Sequence, residues 1–176
     1  RMAQNDSPDT GRTSPDHLRR CLDYLQEQNY NFMSLEQLIL ALEHKRTIPP
    51  KSVVFTMDDG YIDQAEIAAP IFLEYNCPLT SFVITGMLDQ TVWPWDAHVS
   101  GIIESSKGFT LVSSAAIKSL GIKFDESISK RTLRRLIQGA LKKIDAEAIP
   151  AILQQLANDT GIIIPDAAPP SFQPMT

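Results

Sequence analysis

Histidine and cysteine are scarce in this chain, at three and two of 176 residues. Cys21 and Cys77 lie far apart in sequence. Cys21 falls on an apolar helical face, where a small buried thiol is expected rather than a disulfide. That leaves the redox compartment open. No apolar run approaches the roughly 18 residues that a membrane span needs. The stretch from Arg1 to Ser7 has no apolar core, so no signal peptide is visible. Arg1 stands ahead of Met2, as in a trimmed or partial chain, so this absence says little about location. The net charge of -5 gives no general reason to expect nucleic-acid binding. Apolar residues make up 43% and charged residues 21%, an ordinary globular composition. The length suits one domain with a real core, with room for a small appended subdomain. There is no internal repeat.

Residues 1 to 13 are polar and aperiodic, and read as an extended or loop segment. Ser14-Pro15 predicts a helix start, with Leu18, Cys21, Leu22 and Leu25 at helical spacing and Asn29 as a stop. Ser34 with Gln37 predicts a capping box, followed by a buried stripe of Leu35, Leu38, Ile39 and Leu42. The run Ser52 to Thr56 reads as a strand buried on both faces, broken by Asp58-Asp59-Gly60. Gln64 to Tyr75 reads as a helix with Ala65, Ala68, Ala69, Phe72 and Leu73 on one side. Pro70 should kink it or mark a late start. Leu79 to Thr85 is a further buried strand ended by Gly86. Strand, helix and strand in that order predict a βαβ unit and a parallel sheet. Beyond Gly86, Val92 to Asp96 reads as an aromatic loop and residues 97 to 124 are mixed. A helix is expected from Ser129, with Leu133, Leu136, Ile137, Ala140, Leu141 and Ile144 apolar. Another runs from about Pro150 to a stop at Gly161. The tail from Pro165 to Thr176 is proline-rich and extended.

Ligands of parallel α/β sheets bind beyond the carboxyl ends of the strands, where Asp58 and Asp59 fall. Adjacent strand residues normally point to opposite faces, but a turn eased by Gly60 can re-aim both carboxylates toward one cavity. Two close carboxylates resist joint ionisation unless a cation lies between them or one takes a proton. A plain polar Asp-Gly turn is the alternative. A calcium loop of the EF-hand type fails, because its first and third positions would be Phe55 and Met57, which carry no side-chain oxygen. A haloacid-dehalogenase phosphatase is a weak reading, because the residues two before Asp58 and Asp59 are Thr56 and Met57.

Thr56-Met57-Asp58-Asp59-Gly60, behind Val53-Val54-Phe55, resembles the first motif of the polysaccharide deacetylases (the NodB-homology domain, carbohydrate esterase family four), with Met57 where that family has Phe. The approach Pro49-Pro50-Lys51-Ser52 is similar to that family, as is Ile67 to Phe72 with Tyr75 and Pro78. So are the strand Thr80 to Gly86 and the loop Trp93-Pro94-Trp95-Asp96. The resemblance covers roughly residues 14 to 96. It implies an α/β fold, part of an irregular (β/α) barrel of the NodB type, with two N-terminal helices and a helical insertion. It implies metal-dependent hydrolysis of acetyl groups on an acetylated polysaccharide of N-acetylhexosamine type. By the same resemblance Asp58 matches the general base and Asp59 the metal ligand for a divalent ion, usually zinc. Tyr61 and Trp95 are candidates to line the substrate groove, with core packing as the other reading of each.

The family's His-x-x-x-His ligand pair is missing. His17, His44 and His98 stand alone, each expected to be a surface or packing residue. The expectation is therefore an N-terminal portion of a longer enzyme, inactive by itself, with a non-catalytic glycan- or partner-binding domain as the rival. The expected division is a helical segment over 1–50, the start of the barrel over 51–92, a helical insertion over 93–164 and a loop over 165–176. Location in the cell envelope or outside the cell is implied by the resemblance alone. Lys130, Arg131, Arg134, Arg135, Lys142 and Lys143 give one helix a basic surface. A solvated face is the ordinary reading, and an anionic polymer or membrane surface the alternative.

Overall fold

The computed structural model describes residues 2, 13–125, 127–164, 168 and 172–175. The expected loops over 1–13 and 165–176 therefore lie largely outside the described residues. Two compact units emerge: Arg1–Thr91 with Pro170–Thr176, and Val92–Pro169.

In the first unit α1 (Pro15–Glu27) starts where Ser14 Oγ accepts the backbone N–H of His17 at 3.1 Å. Leu22 is fully buried and Leu18 packs beside it, but Cys21 is exposed. The inward line of the helix joins positions four apart, Leu18 and Leu22, and leaves the thiol at i+3 outside. The buried thiol is that of Cys77, which burial pushes up to about 11. Both cysteines are free. The capping box of α2 (Leu35–Glu43) is present: Gln37 N–H donates to Ser34 Oγ at 3.0 Å, and Ser34 N–H to Gln37 Oε1 at 2.8 Å. Its inward residue is Ala41, whereas Ile39 and Leu42 of the expected stripe are exposed.

Strand β1 (Asn31–Phe32) pairs in parallel with β2 (Ser52–Val53). Strand β3 (Phe55–Asp59) pairs in parallel with β4 (Leu79–Val83), in register from Phe55 opposite Leu79 to Asp59 opposite Val83. The parallel pairing matches the sequence expectation, but the burial does not. Phe55 and Met57 face the core while Thr56 and Asp58 are exposed, so β3 is buried on one face only. It also continues through both aspartates. Phe82 and Val83 of β4 are exposed, and the chain after Ile84 forms a short helix, α4 (Thr85–Leu88), that includes Gly86. Among the described residues the strands make two two-stranded sheets and not a closed barrel. The architecture is mixed helix and strand, compatible with α/β.

Pro70 divides the segment between β3 and β4. Ahead of it Gln64–Ala68 is a π-helical turn, in which Ala69 N–H reaches back to Gln64 C=O. α3 (Ala69–Glu74) then restarts with Pro70 in its first turn, where a missing N–H is tolerated. The wider turn rotates the inward face to Gln64, Ala68, Ile71 and Phe72, and it leaves Leu73 77% exposed instead of inside. Phe55 meets Phe32 and Phe72 edge-on at 6.1 and 5.0 Å, which joins β1, β3 and α3 in one aromatic core.

The second unit is helical: α5 (Trp95–Ser105), α6 (Gly108–Ser113), α7 (Ala115–Ser119), α8 (Lys130–Leu141) and α9 (Ile149–Thr160). The stretch that read as mixed, 97 to 124, thus holds most of α5 and two helices of one to two turns. Such short helices carry too few residues for a periodic signal. Leu133, Ile137 and Leu141 of α8 are buried as expected, and α9 ends at Gly161 with φ 69°.

Asp159 binds α7 to α9. Its Oδ2 accepts the Ser114 hydroxyl at 2.7 Å and the Ala116 N–H at 2.9 Å, and its Oδ1 accepts Gln155 at 2.7 Å. The Ala116 N–H, an unpaired donor at the start of α7, is the main cause that holds this carboxyl below its ordinary value. The pKa is lowered on folding, so its contribution is complete above the ordinary carboxylate range and is lost as pH falls through the lowered value. Asp159→Ala should cost about 1–2 kcal/mol in urea unfolding at neutral pH, with the deficit shrinking below about pH 4. Equal midpoints for the two proteins at neutral pH would contradict this role.

Candidate functional site

The alternation of β3 places Asp58 with Thr56 on the exposed face. Asp59 would return to the face of Phe55 and Met57, but its φ is 81° and that of Gly60 is 80°. Two left-handed residues in succession end the alternation at the carboxyl edge of the strand. Both aspartates are exposed there. Asp59 still closes the ladder, its carbonyl accepting Ile84 N–H at 3.1 Å. An L-residue other than Gly is strained in this region, and Asp is among the types that tolerate it. Gly60 has a second reason to lack a side chain. A Cβ there would lie 2.9 Å from Val83 Cγ1 and 3.1 Å from Val83 Cβ.

Neighbouring segments hold the turn from both sides. Gln64 is 6% exposed, and its Nε2 donates to the Asp58 carbonyl at 2.6 Å. Its Oε1 is buried and finds no partner among the described residues. Sequence reasoning missed Gln64, although a polar side chain exactly four residues ahead of buried Ala68 was a visible signal. Opposite, Met175 N–H donates to Gly60 C=O at 2.8 Å, and Ile62 N–H donates to Gln173 C=O at 2.9 Å. Tyr61 forms an antiparallel bridge with Pro174 and is 3% exposed, its ring edge-on to Phe172 at 6.2 Å. Asp63 Oδ2 accepts Met2 N–H at 2.7 Å.

The turn therefore brings together Asp58, Asp59 and a buried Tyr61. Trp95 belongs to the second unit, where it packs against the helical core. Trp93 lies edge-on to His98, with ring centroids 3.6 Å apart. Burial lowers the His98 pKa, which keeps the ring neutral at pH 7. On α1, His17 Nε2 is 3.6 Å from Cys21 Sγ, and His44 is the C-cap of α2. Among the described residues no three His, Cys, Asp or Glu side chains gather as a metal site. A catalytic zinc takes three protein ligands. Asp58 and Asp59 do not complete such a site, and no step through an ion follows from these residues alone.

The strain at Gly60 is measurable. Gly60→Ala should lower the unfolding free energy by about 1–2 kcal/mol for the left-handed backbone alone, with the Val83 contact adding to it. Gly101→Ala, in α5 where an added Cβ meets nothing within 4 Å, should be neutral or stabilising. Equal effects in denaturant unfolding would contradict the geometry of the turn.

No protein-family model and no curated protein matches the chain. Two solved structures are similar to it. One is a de-N-acetylase from Aggregatibacter actinomycetemcomitans, at 30% identity over 49% of this chain and 33% of that one, with a TM-score of 0.44. The other is the Streptococcus pyogenes deacetylase PplD in complex with acetate, at 19% identity over 90% of this chain and 76% of that one, with a TM-score of 0.43. The chain thus spans about a third of the length of the first. At TM-scores below 0.5 these likenesses assign no residue and no activity to the present chain.

Proposed function

We propose that this chain carries the acidic strand end of a polysaccharide-deacetylase-like hydrolase. One observation supports this most strongly: two exposed, adjacent carboxylates end a parallel strand on a backbone held left-handed at Asp59 and Gly60. An Asp-Gly pair with two left-handed residues is also the makeup of an ordinary polar turn, so the placement of both exposed carboxylates at the carboxyl end of a parallel strand is what favours a site. Conformational strain of about 1–3 kcal/mol persists where the surroundings over-determine it, and it concentrates at functional sites.

The proposed reaction is removal of acetyl groups from an acetylated polymer of N-acetylhexosamine type, in the cell envelope or outside the cell. Asp58, its backbone fixed by Gln64, takes the proton from the attacking water. Asp59 contributes one oxygen ligand to a divalent cation, proposed as zinc, and the remaining ligands would come from outside the described residues. When bound, such an ion polarises the acetyl carbonyl. The rival reading is a non-catalytic domain that binds a glycan or a partner protein. The lack of a three-ligand cluster among the described residues and the covering of Tyr61 by Phe172 favour it. No helix among the described residues is long and apolar enough to cross a membrane.

The two readings separate in the protein as it occurs naturally, assayed on an acetylated glycan with zinc supplied. Asp58→Asn should keep the bound zinc and lose about a hundredfold or more in turnover. Asp59→Asn keeps a side chain suited to positive φ, and should release zinc and turnover together. Near-normal rates in both variants would reject the assigned roles. Glycan binding without turnover in the unaltered protein would establish the non-catalytic reading.

A further inference from the structure

From Lys130 to Lys143 the chain carries six cations and no carboxylate, although its net charge is -5. Two of the six have structural partners on α5: Lys130 Nζ donates to Glu104 C=O at 2.6 Å, and Arg134 lies 4.0 Å from the Glu104 carboxylate. Arg135 and Lys143 are exposed, and neither has a partner among the described residues. These two flank a groove of about 470 Å³ between α8 and the end of α7, lined also by Leu120, Leu136, Gly139 and Ile144. No carboxylate lines it among the described residues. It is an open surface groove, not an enclosed cavity.

Gly139 marks the groove as more than a gap in packing. It lies inside α8, where Gly costs roughly 1 kcal/mol relative to Ala. A Cβ at this position would meet nothing within 4 Å, so close packing does not require the glycine. Its effect is to leave the middle of the groove open. Leu136, three residues after the buried Leu133 of the same helix, is not drawn into the core: it stays 43% exposed at the rim.

We propose that this groove binds a monomeric amphipathic anion, an alkyl chain carrying a phosphate or carboxylate head. The head sits over Gly139 between Arg135 and Lys143, and the chain lies against Leu120, Leu136 and Ile144. Charge complementarity selects an anion, and the apolar lining selects one with a hydrocarbon body. Neither inorganic phosphate nor a neutral alcohol meets both conditions. The site is independent of the acidic turn, so its failure leaves the deacetylase reading untouched.

Calorimetric titration of the chain with decyl phosphate, kept monomeric, tests the proposal, with inorganic phosphate, decanol and phosphatidylglycerol vesicles as comparisons. Saturable binding of decyl phosphate is expected, weakened at least about tenfold in Arg135→Gln/Lys143→Gln and by added salt. Gly139→Leu, which favours the helix while filling the groove, should abolish binding with the circular dichroism unchanged. If that variant unfolds, the double charge variant, whose substitutions are at the exposed surface, decides. Equal binding of phosphate or of decanol, binding to vesicles only, or undiminished binding in the variants would overturn the proposal.

Discussion

At the end of β3 the backbone turns left-handed at Asp59 and again at Gly60, and the rest of the site follows from that double turn. A parallel strand that simply alternated would send Asp58 outward and Asp59 back over the core with Phe55 and Met57. The turn instead ends the strand with both acids exposed. It is held by contacts that do not depend on either carboxylate. Val83 leaves no room for a side chain at Gly60, Gln64 secures the Asp58 carbonyl, and the segment 173–175 bonds to the backbone at Gly60 and Ile62. The backbone of the turn is thus held by neighbouring segments on both sides.

The parallel pairing, the helix caps at Ser14 and Ser34 and the helix start at Ser129 were legible in the sequence. Each is a local signal: a capping side chain acts within one turn, and a βαβ order fixes the pairing sense. Burial was less legible, because it depends on what lies opposite. The run from Ser52 to Thr56 reads as buried on both faces, yet the exposed Thr56 and Asp58 show that one face of β3 is open. Ile39 and Leu42 looked like a stripe, but α2 turns Ala41 inward. The π turn at Gln64 moved the inward face by a fraction of a turn, and no 3.6-residue pattern anticipates that. It is also what brought Gln64 beneath Asp58.

In the candidate site, the two acids and Gly60 were readable, while their supports were not. Tyr61 is read from sequence as lining a groove or as packed; its contact with Phe172 comes from a segment more than a hundred residues away along the chain. Trp95 is part of a helical core assembled from α5, α8 and α9. In that unit the basic sequence from Lys130 to Lys143 was visible, but not its division between cations held by Glu104 and cations left unpaired beside Gly139.

The central claim is that Asp59 binds a cation beside Asp58, which handles the proton. Titrating manganese(II) into the isotope-labelled chain and following amide line broadening by nuclear magnetic resonance tests it directly, since even a weak, incomplete site broadens its neighbours. The account predicts broadening that spreads from Asp58, Asp59 and Gly60 and is lost in Asp59→Asn. Broadening centred on other carboxylates, or unchanged by that substitution, would contradict it.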